Sequence, residues 1–296
     1  MGLERAAAQV TGGMSGALVL GGSGFVGLEL VRTLGWPGTS SAPRDGFSPV
    51  DATHREEVER LVDRLRPEVV VNCVGLADVD RSEREPELAA RLNHDVVENL
   101  VAAQQRTRFR LVQISTDYVF DGAKGHYVET DMVHPINEYG RTKLAGEQSA
   151  SRCPAALIVR ISSPFGRGFG ARKPQFFRYV ADTLRAGRPV RALTDQTVTA
   201  TYLPDLAAAI TTLLDREVEG IVHVSSEEAL TRFEFARRVA RLTGSDEGLV
   251  SPGVRADMAQ WTAPRPSDTS LDVSRSRSLG VSYTPVNRAL RAALTE

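Results

Sequence analysis

The sequence predicts an α/β protein in which a doubly wound, Rossmann-type parallel sheet is joined to a smaller C-terminal α/β substrate domain. Two observations predict this fold. Short stretches rich in Val, Ile and Leu alternate with helical stretches through residues 17–160, as in parallel sheets that carry helices on both faces. The first apolar stretch also leads directly into a glycine-rich turn and then a helix, which is the βα unit that binds dinucleotides in such sheets.

The elements of this sheet follow one another in chain order. The apolar run 17–20 is typical of a buried parallel strand, and the turn 21–27 leads into a helix that ends at Leu34. Thr53 and Glu56 have the spacing of a capping box, which predicts a helix from Thr53 to Leu65. The remaining patterns predict helices at 87–105 and 137–149, and strands at 69–75, 109–115 and 156–160.

After Ile161 the alternation becomes less regular. Residues 162–174 are rich in Gly, Pro, Arg and Phe and predict a long loop. The rest of the chain combines predicted helices at 176–186, 204–214 and 232–242 with a predicted strand at 221–224. We therefore expect a dinucleotide-binding domain formed by residues 1–161 and about 195–220, and a substrate domain formed by residues 162–194 and 221–296.

The composition argues against several classes of protein. The 36 Lys and Arg residues nearly balance the 37 Asp and Glu residues, so no global basic field attracts nucleic acid or an anionic membrane. No apolar run approaches the ~18–20 residues of a membrane span, and residues 1–16 lack the apolar core of a signal peptide. Cys73 and Cys153 form neither a disulfide framework nor a zinc motif. We expect a cytoplasmic protein with no nucleic-acid, membrane or metal partner.

The glycine turn is the first candidate binding site. Gly21, Gly24 and Gly27 fit the pattern GxxGxxG between a strand and a helix. Such a turn lets the backbone approach a pyrophosphate, and the helix that follows offers free N–H groups and the positive end of its dipole. A plain tight turn is the alternative. The cofactor contacts expected from this unit are Gly21, Ser23, Gly24, Phe25, Val26 and Gly27.

The segment after the first helix, which corresponds to the end of the second strand in NAD-binding units, bears on the choice of cofactor. NAD-binding units usually place Asp or Glu there, whereas residues 38–44 offer hydroxyls, including Ser41, and Arg44, with no acid before Asp45. An arginine can hold a 2′-phosphate through charge-assisted hydrogen bonds, which favours NADP(H) over NAD(H). A solvated arginine in a loop is the alternative. Asp51, followed by Ala52, is a candidate for the adenine edge.

Tyr139 and Lys143 are the strongest candidates for catalysis. They are four residues apart, which on a helix places them on one face. A phenol has a pKa of ~10, and a nearby ammonium group stabilises the phenolate and lowers that pKa. Such a phenol can serve as general acid toward a carbonyl oxygen. A hydroxyl at the end of the preceding strand, from Ser115 or Thr116, could orient that carbonyl.

These motifs together resemble a known family. The order of the glycine turn, STDYVFDG at 115–122 and YGRTK at 139–143 resembles the extended short-chain dehydrogenase/reductases, and within them the dTDP-4-dehydrorhamnose reductase family. The likeness extends through most of the chain. Further stretches that resemble this family are VVNC at 70–73, DVD at 78–80, DQ at 195–196, TYLPDLA at 201–207 and RPSDTSLD at 265–272.

The resemblance implies an NAD(P)H-dependent reductase that acts on the C4 ketone of a nucleotide-linked 6-deoxyhexose. It implies that Thr116 binds the keto oxygen, that Tyr139 donates the proton and that Lys143 holds the nicotinamide ribose. Further cofactor contacts are expected from Cys73, Val74, Gly75, Leu76, Ala77 and Ile114. The residues expected to face the sugar nucleotide are Val79, Thr116, Asp117, Tyr118, Ser163 and Pro164.

The chain also departs from the family pattern. The family's SWVYG stretch reads Ser-Ser-Pro-Phe-Gly at 162–166, and Val198 and Ala200 replace a glycine and a proline. Both changes are expected where the substrate binds, so a different deoxysugar or nucleotide sugar is compatible with the chain. The basic residues Arg167, Arg172 and Lys173 form either a solvated loop or a clamp on the nucleotide diphosphate.

Two other functions are possible on the same fold. One is a non-catalytic regulatory subunit that binds NADP or a sugar nucleotide, which would not need Thr116, Tyr139 and Lys143. The other is a nucleotide-sugar epimerase or dehydratase with tightly held NAD. A homodimer formed through helices is a further possibility, because such dimers are common on this fold.

Overall fold

The main layer of the protein is a parallel β-sheet. The computed structural model describes residues 16–166 and 175–295. The strands in this part of the chain are β1 (Ala17–Leu20), β2 (Gly38–Ser40), β3 (Phe47–Pro49), β4 (Val69–Asn72), β5 (Arg110–Thr116), β6 (Leu157–Ile161), β7 (Val190–Leu193), β8 (Thr197–Val198), β9 (Gly220–His223), β10 (Leu230–Thr231) and β11 (Val250–Gly253). Seven of them form one sheet in the order β3-β2-β1-β4-β5-β6-β9, with every neighbouring pair parallel.

Helices cover both faces of this sheet. Val19 and Val71 pack on the face that is covered by α1 (Phe25–Leu34) and α8 (Leu203–Asp215). Leu18 and Val70, which point the other way because side chains alternate along a strand, pack against the helices of the opposite face. The helices of that face are α2 (Arg55–Leu65), α5 (Val96–Thr107) and α6 (Glu138–Ala150). The predicted doubly wound α/β fold is therefore confirmed, and its order of winding reverses between β1 and β4, where such sheets bind ligands.

The helix predicted at 87–105 forms, but it is not regular α-helix throughout. Helical backbone runs from Pro86 to Thr107 as α4 (Pro86–Ala90), a π-helical turn (Arg91–Asp95) and α5, and a short helix that was not predicted, α3 (Val79–Arg84), precedes it. Pro86 stands at the start of α4, where a proline fits because the N–H that it lacks would be unpaired there. The extra residue of the π turn places Asn93 in the interior of the protein.

The capping box predicted for α2 is wrong, because Thr53 does not cap the helix. The helix begins at Arg55, with His54 at the N-cap position and no side-chain cap. Thr53 cannot serve as the cap, because its backbone N–H and its hydroxyl both donate to a carboxylate oxygen of Asp51, at 3.0 and 2.7 Å. The local turn between Asp51 and Thr53 thus takes up the groups that the capping box would have used.

The C-terminal part has a small core of its own. Strand β7 pairs in parallel with β11, and β8 pairs antiparallel with β10. Phe165, Phe177 and Phe235 pack together at the centre of this core, with ring centroids 5.6–6.4 Å apart. The helices around them are α7 (Phe176–Arg185), α9 (Arg232–Thr243) and α11 (Val286–Thr295), and α10 (Ser274–Ser278) lies between β11 and α11 in the chain.

The sheets change the predicted division of the chain in two places. Strand β9 begins at Gly220 and pairs with β6 in the main sheet, whereas residues from 221 onward were expected in the substrate domain. Strand β8 belongs to the small sheet with β10, although it falls within the segment 195–220 that was assigned to the dinucleotide domain. Both assignments depend on which strand each one pairs with in the folded protein, because neither short strand has a sequence pattern that identifies its partner.

The remaining structural expectations concern cysteines, metals and membranes. Cys153 is buried and Cys73 is partly buried, and neither forms a disulfide. Within residues 16–166 and 175–295, no three His, Cys, Asp or Glu side chains are grouped so that they could hold a metal ion. A search of the same residues for a helix long and apolar enough to cross a bilayer found none.

Candidate active site

A cleft of about 780 Å³ opens at the carboxyl ends of β1, β2 and β4. It lies beside the point where the winding order of the sheet reverses, as expected for a ligand site in an open α/β fold. Twelve residues predicted to bind cofactor line it: Gly21, Ser23, Gly24, Phe25, Ser41, Asp51, Ala52, Cys73, Val74, Gly75, Leu76 and Ala77.

The glycine turn forms a tight backbone cradle at one end of this cleft. Gly21 has a positive φ of 74°, and a Cβ at this position would lie 2.9 Å from the backbone nitrogen of Val74. A Cβ on Gly27 would lie only 2.4 Å from the carbonyl oxygen of Gly21. No side chain caps the N-terminus of α1, so its first N–H groups are available to an anion. The cradle therefore fits a dinucleotide pyrophosphate.

The ends of β2 and β3 border the opposite side of the glycine turn. Thr39 accepts a hydrogen bond at its hydroxyl from the N–H of Gly21, at 3.0 Å. Arg44 donates from Nη1 to the carbonyl oxygen of Ser23 at 3.1 Å, and its guanidinium lies 5.3 Å from the ring centroid of Phe47. Arg44 is exposed at this edge, so its remaining donors face solvent next to the turn.

The π turn fixes the backbone that lines the middle of the cleft. Asn93 accepts a hydrogen bond from the N–H of Leu76 at 2.8 Å, and it donates to the hydroxyl of Thr142 at 3.0 Å. A Cβ on Gly146 would lie 2.3 Å from the carbonyl oxygen of Asn93, so α6 approaches the turn closely. Asn93 therefore holds the segment after β4 and helix α6 in a fixed relation. A π turn at a functional site is a common arrangement.

The three predicted catalytic residues meet at one edge of the sheet. Thr116 ends β5, while Tyr139 and Lys143 lie on α6. The hydroxyl of Thr116 lies close enough to the hydroxyl of Tyr139 to lower the pKa of that phenol. Lys143 is reached from the cofactor cleft, because a Cβ on Gly75 would lie 3.9 Å from its Nζ atom. None of the three lines the cleft itself. The amine lies directly behind Gly75, and the phenol and the hydroxyl meet at the end of β5.

The predicted effect of Lys143 on Tyr139 is not found. Burial raises the pKa of the Tyr139 hydroxyl above its usual value, and hydrogen bonding by Thr116 offsets only part of this shift. The charges of Asp117 and Tyr118 raise that pKa further, and the amine of Lys143 has no resolved effect on it. The amine instead donates a hydrogen bond of 2.6 Å to the carbonyl oxygen of Ile114. Desolvation outweighs the favourable charge that the four-residue spacing predicted.

Lys143 itself has an unusual environment. Burial lowers the pKa of its amine to about 8, while the carboxylate of Glu147, one turn further along α6, acts in the opposite direction. Glu147 also accepts hydrogen bonds from the hydroxyl of Ser115 and from both Nε and Nη2 of Arg160. Burial raises the pKa of the neighbouring Cys73 thiol to about 12, so Cys73 is a neutral thiol at physiological pH.

The predicted substrate residues differ in their surroundings. Val79 begins α3, and Tyr118 packs edge-on against Tyr139 with centroids 5.8 Å apart. Asp117, in contrast, is buried, and its carboxylate accepts hydrogen bonds from three hydroxyl groups, at 2.5–3.0 Å. The donors are Thr116, Ser162 and Thr269. Asp117 therefore joins the end of β5 to the C-terminal part of the chain.

Other predicted positions lie apart from the cleft lining. Val26 packs against the core, and Gly27 is buried where α1 meets the turn. Ser163 has a positive φ of 41° and, like Pro164, is partly buried after β6. The substitutions at Val198 and Ala200 are both buried, so they affect packing beneath the site rather than its surface. Arg167, Arg172 and Lys173 lie outside the described residues.

Several residues of the site were not predicted from the sequence. Those that line the cleft are Thr39, Val50, Thr53, Asp78, Arg81, Arg84, Leu92 and Gln175. Arg81 and Arg84 could have been found, because two cations three residues apart on a helix that follows a strand end are placed on one face. No sequence pattern marks Leu92 or Asn93 as residues of the site, because their positions depend on the π turn.

Comparison with known proteins gives a consistent result. The family model described as the RmlD substrate binding domain matches residues 15–296. A probable low-salt glycan biosynthesis reductase of Haloferax volcanii is 37% identical over 273 residues, which cover 87% of this chain and 90% of that protein. The dTDP-4-keto-6-deoxy-D-glucose reductase of Streptomyces niveus is 34% identical, covering 94% of this chain and 95% of that protein.

A solved structure agrees with these relatives in fold. The dTDP-4-dehydrorhamnose reductase of Bacillus anthracis, crystallised in complex with NADP, superposes with a TM-score of 0.83 at 26% sequence identity. The superposition covers 94% of this chain and 98% of that chain. The similarity therefore extends over both the dinucleotide sheet and the C-terminal part.

Proposed function

The chain belongs to the family of the RmlD substrate binding domain, and on that premise we propose that it is an NAD(P)H-dependent reductase of the C4 ketone of a nucleotide-linked, dTDP-type 4-keto-6-deoxyhexose. The observation that carries the proposal is that Thr116, Tyr139 and Lys143 meet at the end of β5, with Lys143 next to Gly75 of the cleft that contains the glycine cradle. Relatives named as reductases of dTDP-linked keto sugars support the same activity.

The residues of the cleft fit a nicotinamide dinucleotide. The cradle at Gly21 and Gly24 and the uncapped N-terminus of α1 would hold its pyrophosphate. Lys143, which lies near Gly75 at the inner end of the cleft, would bind the hydroxyls of the nicotinamide ribose. When bound, the cofactor supplies a hydride to the carbonyl carbon.

Tyr139 would supply the proton to the keto oxygen. Burial raises the pKa of its hydroxyl, so Tyr139 remains protonated at neutral pH, which is the form that a reduction needs. An alkoxide is far more basic than a phenolate, so the proton transfer remains favourable even with the raised pKa. Thr116 donates its hydroxyl hydrogen to Asp117 at 3.0 Å in the structure, and turning it toward the substrate would let it bind the same oxygen.

We also propose that the preferred cofactor is NADPH. Arg44 lies at the end of the glycine turn with free donors facing solvent, and Ser41 lines the adjacent cleft wall. A guanidinium and a hydroxyl at this position suit a 2′-phosphate, whereas NAD-binding units place a carboxylate there. The complex of the Bacillus anthracis reductase with NADP supports this assignment. The homodimer and the cytoplasmic location stay predictions.

The test is oxidation of NADPH, followed by absorbance, against a panel of nucleotide-linked 4-keto-6-deoxysugars. We expect turnover with at least one dTDP-linked member. Tyr139→Phe should lower kcat by ~10²-fold or more, the usual scale for loss of a general acid, and should leave cofactor affinity within about threefold, because the phenol hydroxyl contributes one hydrogen bond at most. Equal turnover by wild type and Tyr139→Phe would refute the assigned proton donor.

The two alternative functions make different predictions in the same experiment. A regulatory subunit would bind NADPH in calorimetry and turn over no member of the panel. An epimerase or dehydratase would retain NAD through purification, and its absorbance would return to the starting value after each turnover. A reductase exchanges its cofactor and consumes it in proportion to product.

A further inference from the structure

The side chain of Arg232 is held in place by three separate parts of the chain. Arg232 begins α9, and its Nε donates to Oε1 of Gln196 at 3.3 Å. Its Nη1 donates to the hydroxyl of Ser163 at 2.5 Å, and its guanidinium lies 4.8 Å from the ring centroid of Phe176. Contacts from the segment after β6, from α7 and from the segment before β8 thus fix the guanidinium in one position.

This guanidinium has no anionic partner among residues 16–166 and 175–295. Its direct contacts there are neutral oxygens and an aromatic ring, and its Nη2 atom donates no hydrogen bond to them. Burial lowers the pKa of Arg232, and the charge of Asp117 opposes this shift from a distance without forming an ion pair. The nearby Arg255 and Arg265 differ, because Asp195 and Asp80 pair with them at 3.3 and 2.8 Å. Arg232 is partly buried, and a cation that is withdrawn from water is costly unless it is paired; arginine also remains charged at every physiological pH. The charge of Arg232 is therefore available to an anion from outside the chain.

The position of Arg232 relative to the catalytic tyrosine indicates which anion this is. Gln196 also donates to the hydroxyl of Tyr118 at 3.3 Å, and the ring of Tyr118 packs edge-on against Tyr139. Arg232 thus lies beyond Tyr118 as seen from the proton donor. In a nucleotide-linked hexose the diphosphate is attached at C1, across the ring from C4, so it lies one ring length away from the keto oxygen that Tyr139 would protonate, and Arg232 is a cation beyond the neighbouring Tyr118.

We propose that Arg232 binds the diphosphate of the sugar nucleotide and that Ser163 and Gln196 hold its guanidinium in position for this role. The inference rests on the proposed function, since it takes the substrate to be a nucleotide-linked sugar. A guanidinium suits the task because its planar donors match phosphate oxygens. Arg232 then determines the affinity for substrate, while the rate of proton transfer depends on Tyr139.

The test compares binding of dTDP and of thymidine to the full-length protein by calorimetry. Arg232→Gln removes the charge, and we expect it to weaken dTDP binding by ~10–100-fold, the scale of a charged hydrogen bond. Thymidine, which lacks phosphate, should bind both proteins equally. Arg232→Lys should recover part of the loss. Arg241→Gln is the matched control, because it removes one positive charge from the exposed face of the same helix, where Arg241 pairs with Glu247.

Steady-state kinetics distinguish the loss of a substrate contact from a loss of folded structure. In Arg232→Gln the KM for the keto sugar should rise by the same factor as the Kd of dTDP, with kcat within about threefold and the Kd of NADPH unchanged, because uniform binding energy is lost. Unchanged dTDP affinity in Arg232→Gln, an equal loss of thymidine binding, or no dTDP binding by wild type would each overturn the inference. Binding of dTDP that depends on Arg232 without turnover of any sugar would support it and overturn the proposed reductase.

Discussion

Replacing Glu147 with glutamine should destabilise the protein and also move the pH dependence of its reaction. The carboxylate of Glu147 is 3% exposed and accepts hydrogen bonds from Arg160, at 2.9 and 2.7 Å, and from Ser115, at 2.5 Å. Arg160 is 2% exposed, and its Nη1 atom has no hydrogen-bond partner. Glu147→Gln therefore leaves a buried guanidinium whose main remaining compensation is the ring of Phe120, at 5.1 Å.

The size of the effect follows from this burial. Removing one partner of a buried ion pair costs ~3–5 kcal/mol of unfolding free energy, because the other charge is left uncompensated. A cation–π contact returns at most ~2 kcal/mol and is already present in the wild type. We expect urea denaturation to report a loss within that range for Glu147→Gln. Asp182→Asn, which breaks an exposed pair with Arg178, serves as the control and should leave the midpoint unchanged within error.

A double variant separates the ion pair from a packing defect. Arg160→Met in the Glu147→Gln background removes the uncompensated charge, so the double variant should be more stable than the sum of the single losses predicts, by more than ~1 kcal/mol. Strict additivity, or a loss below ~1 kcal/mol in Glu147→Gln alone, would refute the view that this pair is a desolvated one.

The same substitution should act on catalysis through Lys143. Burial lowers the pKa of the amine to about 8, and the Glu147 carboxylate opposes that shift, so removing the carboxylate should lower the pKa further. If the ammonium form of Lys143 is the active one, kcat/KM falls as pH rises through this pKa. The alkaline limb of the pH profile should therefore move to lower pH in Glu147→Gln. An unchanged limb would show that Glu147 acts on stability alone.

Three further outcomes test other parts of the site. Arg44→Ala should weaken NADPH by ~10-fold or more and leave NADH nearly unchanged, as measured by fluorescence titration, because only a 2′-phosphate gains a charge-assisted hydrogen bond there; equal weakening of both contradicts the assignment. Gly27→Ala should abolish cofactor binding, since its Cβ would lie 2.4 Å from the carbonyl oxygen of Gly21, and a variant that still binds would show that the turn can open. Lys143→Arg should retain some activity and lose its alkaline limb near pH 8, because arginine stays protonated; a limb at the same pH would assign it to another group.

Local patterns were sufficient for the order of the elements in the dinucleotide domain. Strand β1, the glycine turn and α1 follow from an apolar run, three spaced glycines and a helical period, all within residues 17–34. The pairing of Tyr139 with Lys143 on α6 likewise follows from a spacing of four residues. These predictions succeeded because each depends on neighbours in the sequence.

Predictions that required contacts between distant parts of the chain failed or could not be made. Asn93 reaches Leu76 and Thr142 only because a π turn interrupts the predicted helix. The direction of the Tyr139 pKa shift was wrong because burial, which comes from the folding of α6 against the end of β5, outweighs the nearby amine.

The sequence by itself determined the order of most strands and helices, the glycine cradle and the shared helix face of Tyr139 and Lys143, since strand, turn and helix signals are local. Only the tertiary structure decided the pKa values of the buried groups and the contacts that surround the charged side chains. Arg232 is an example, because Ser163, Phe176 and Gln196 all lie more than thirty residues before it in the chain. Desolvation and the pairing of buried charges depend on the whole fold.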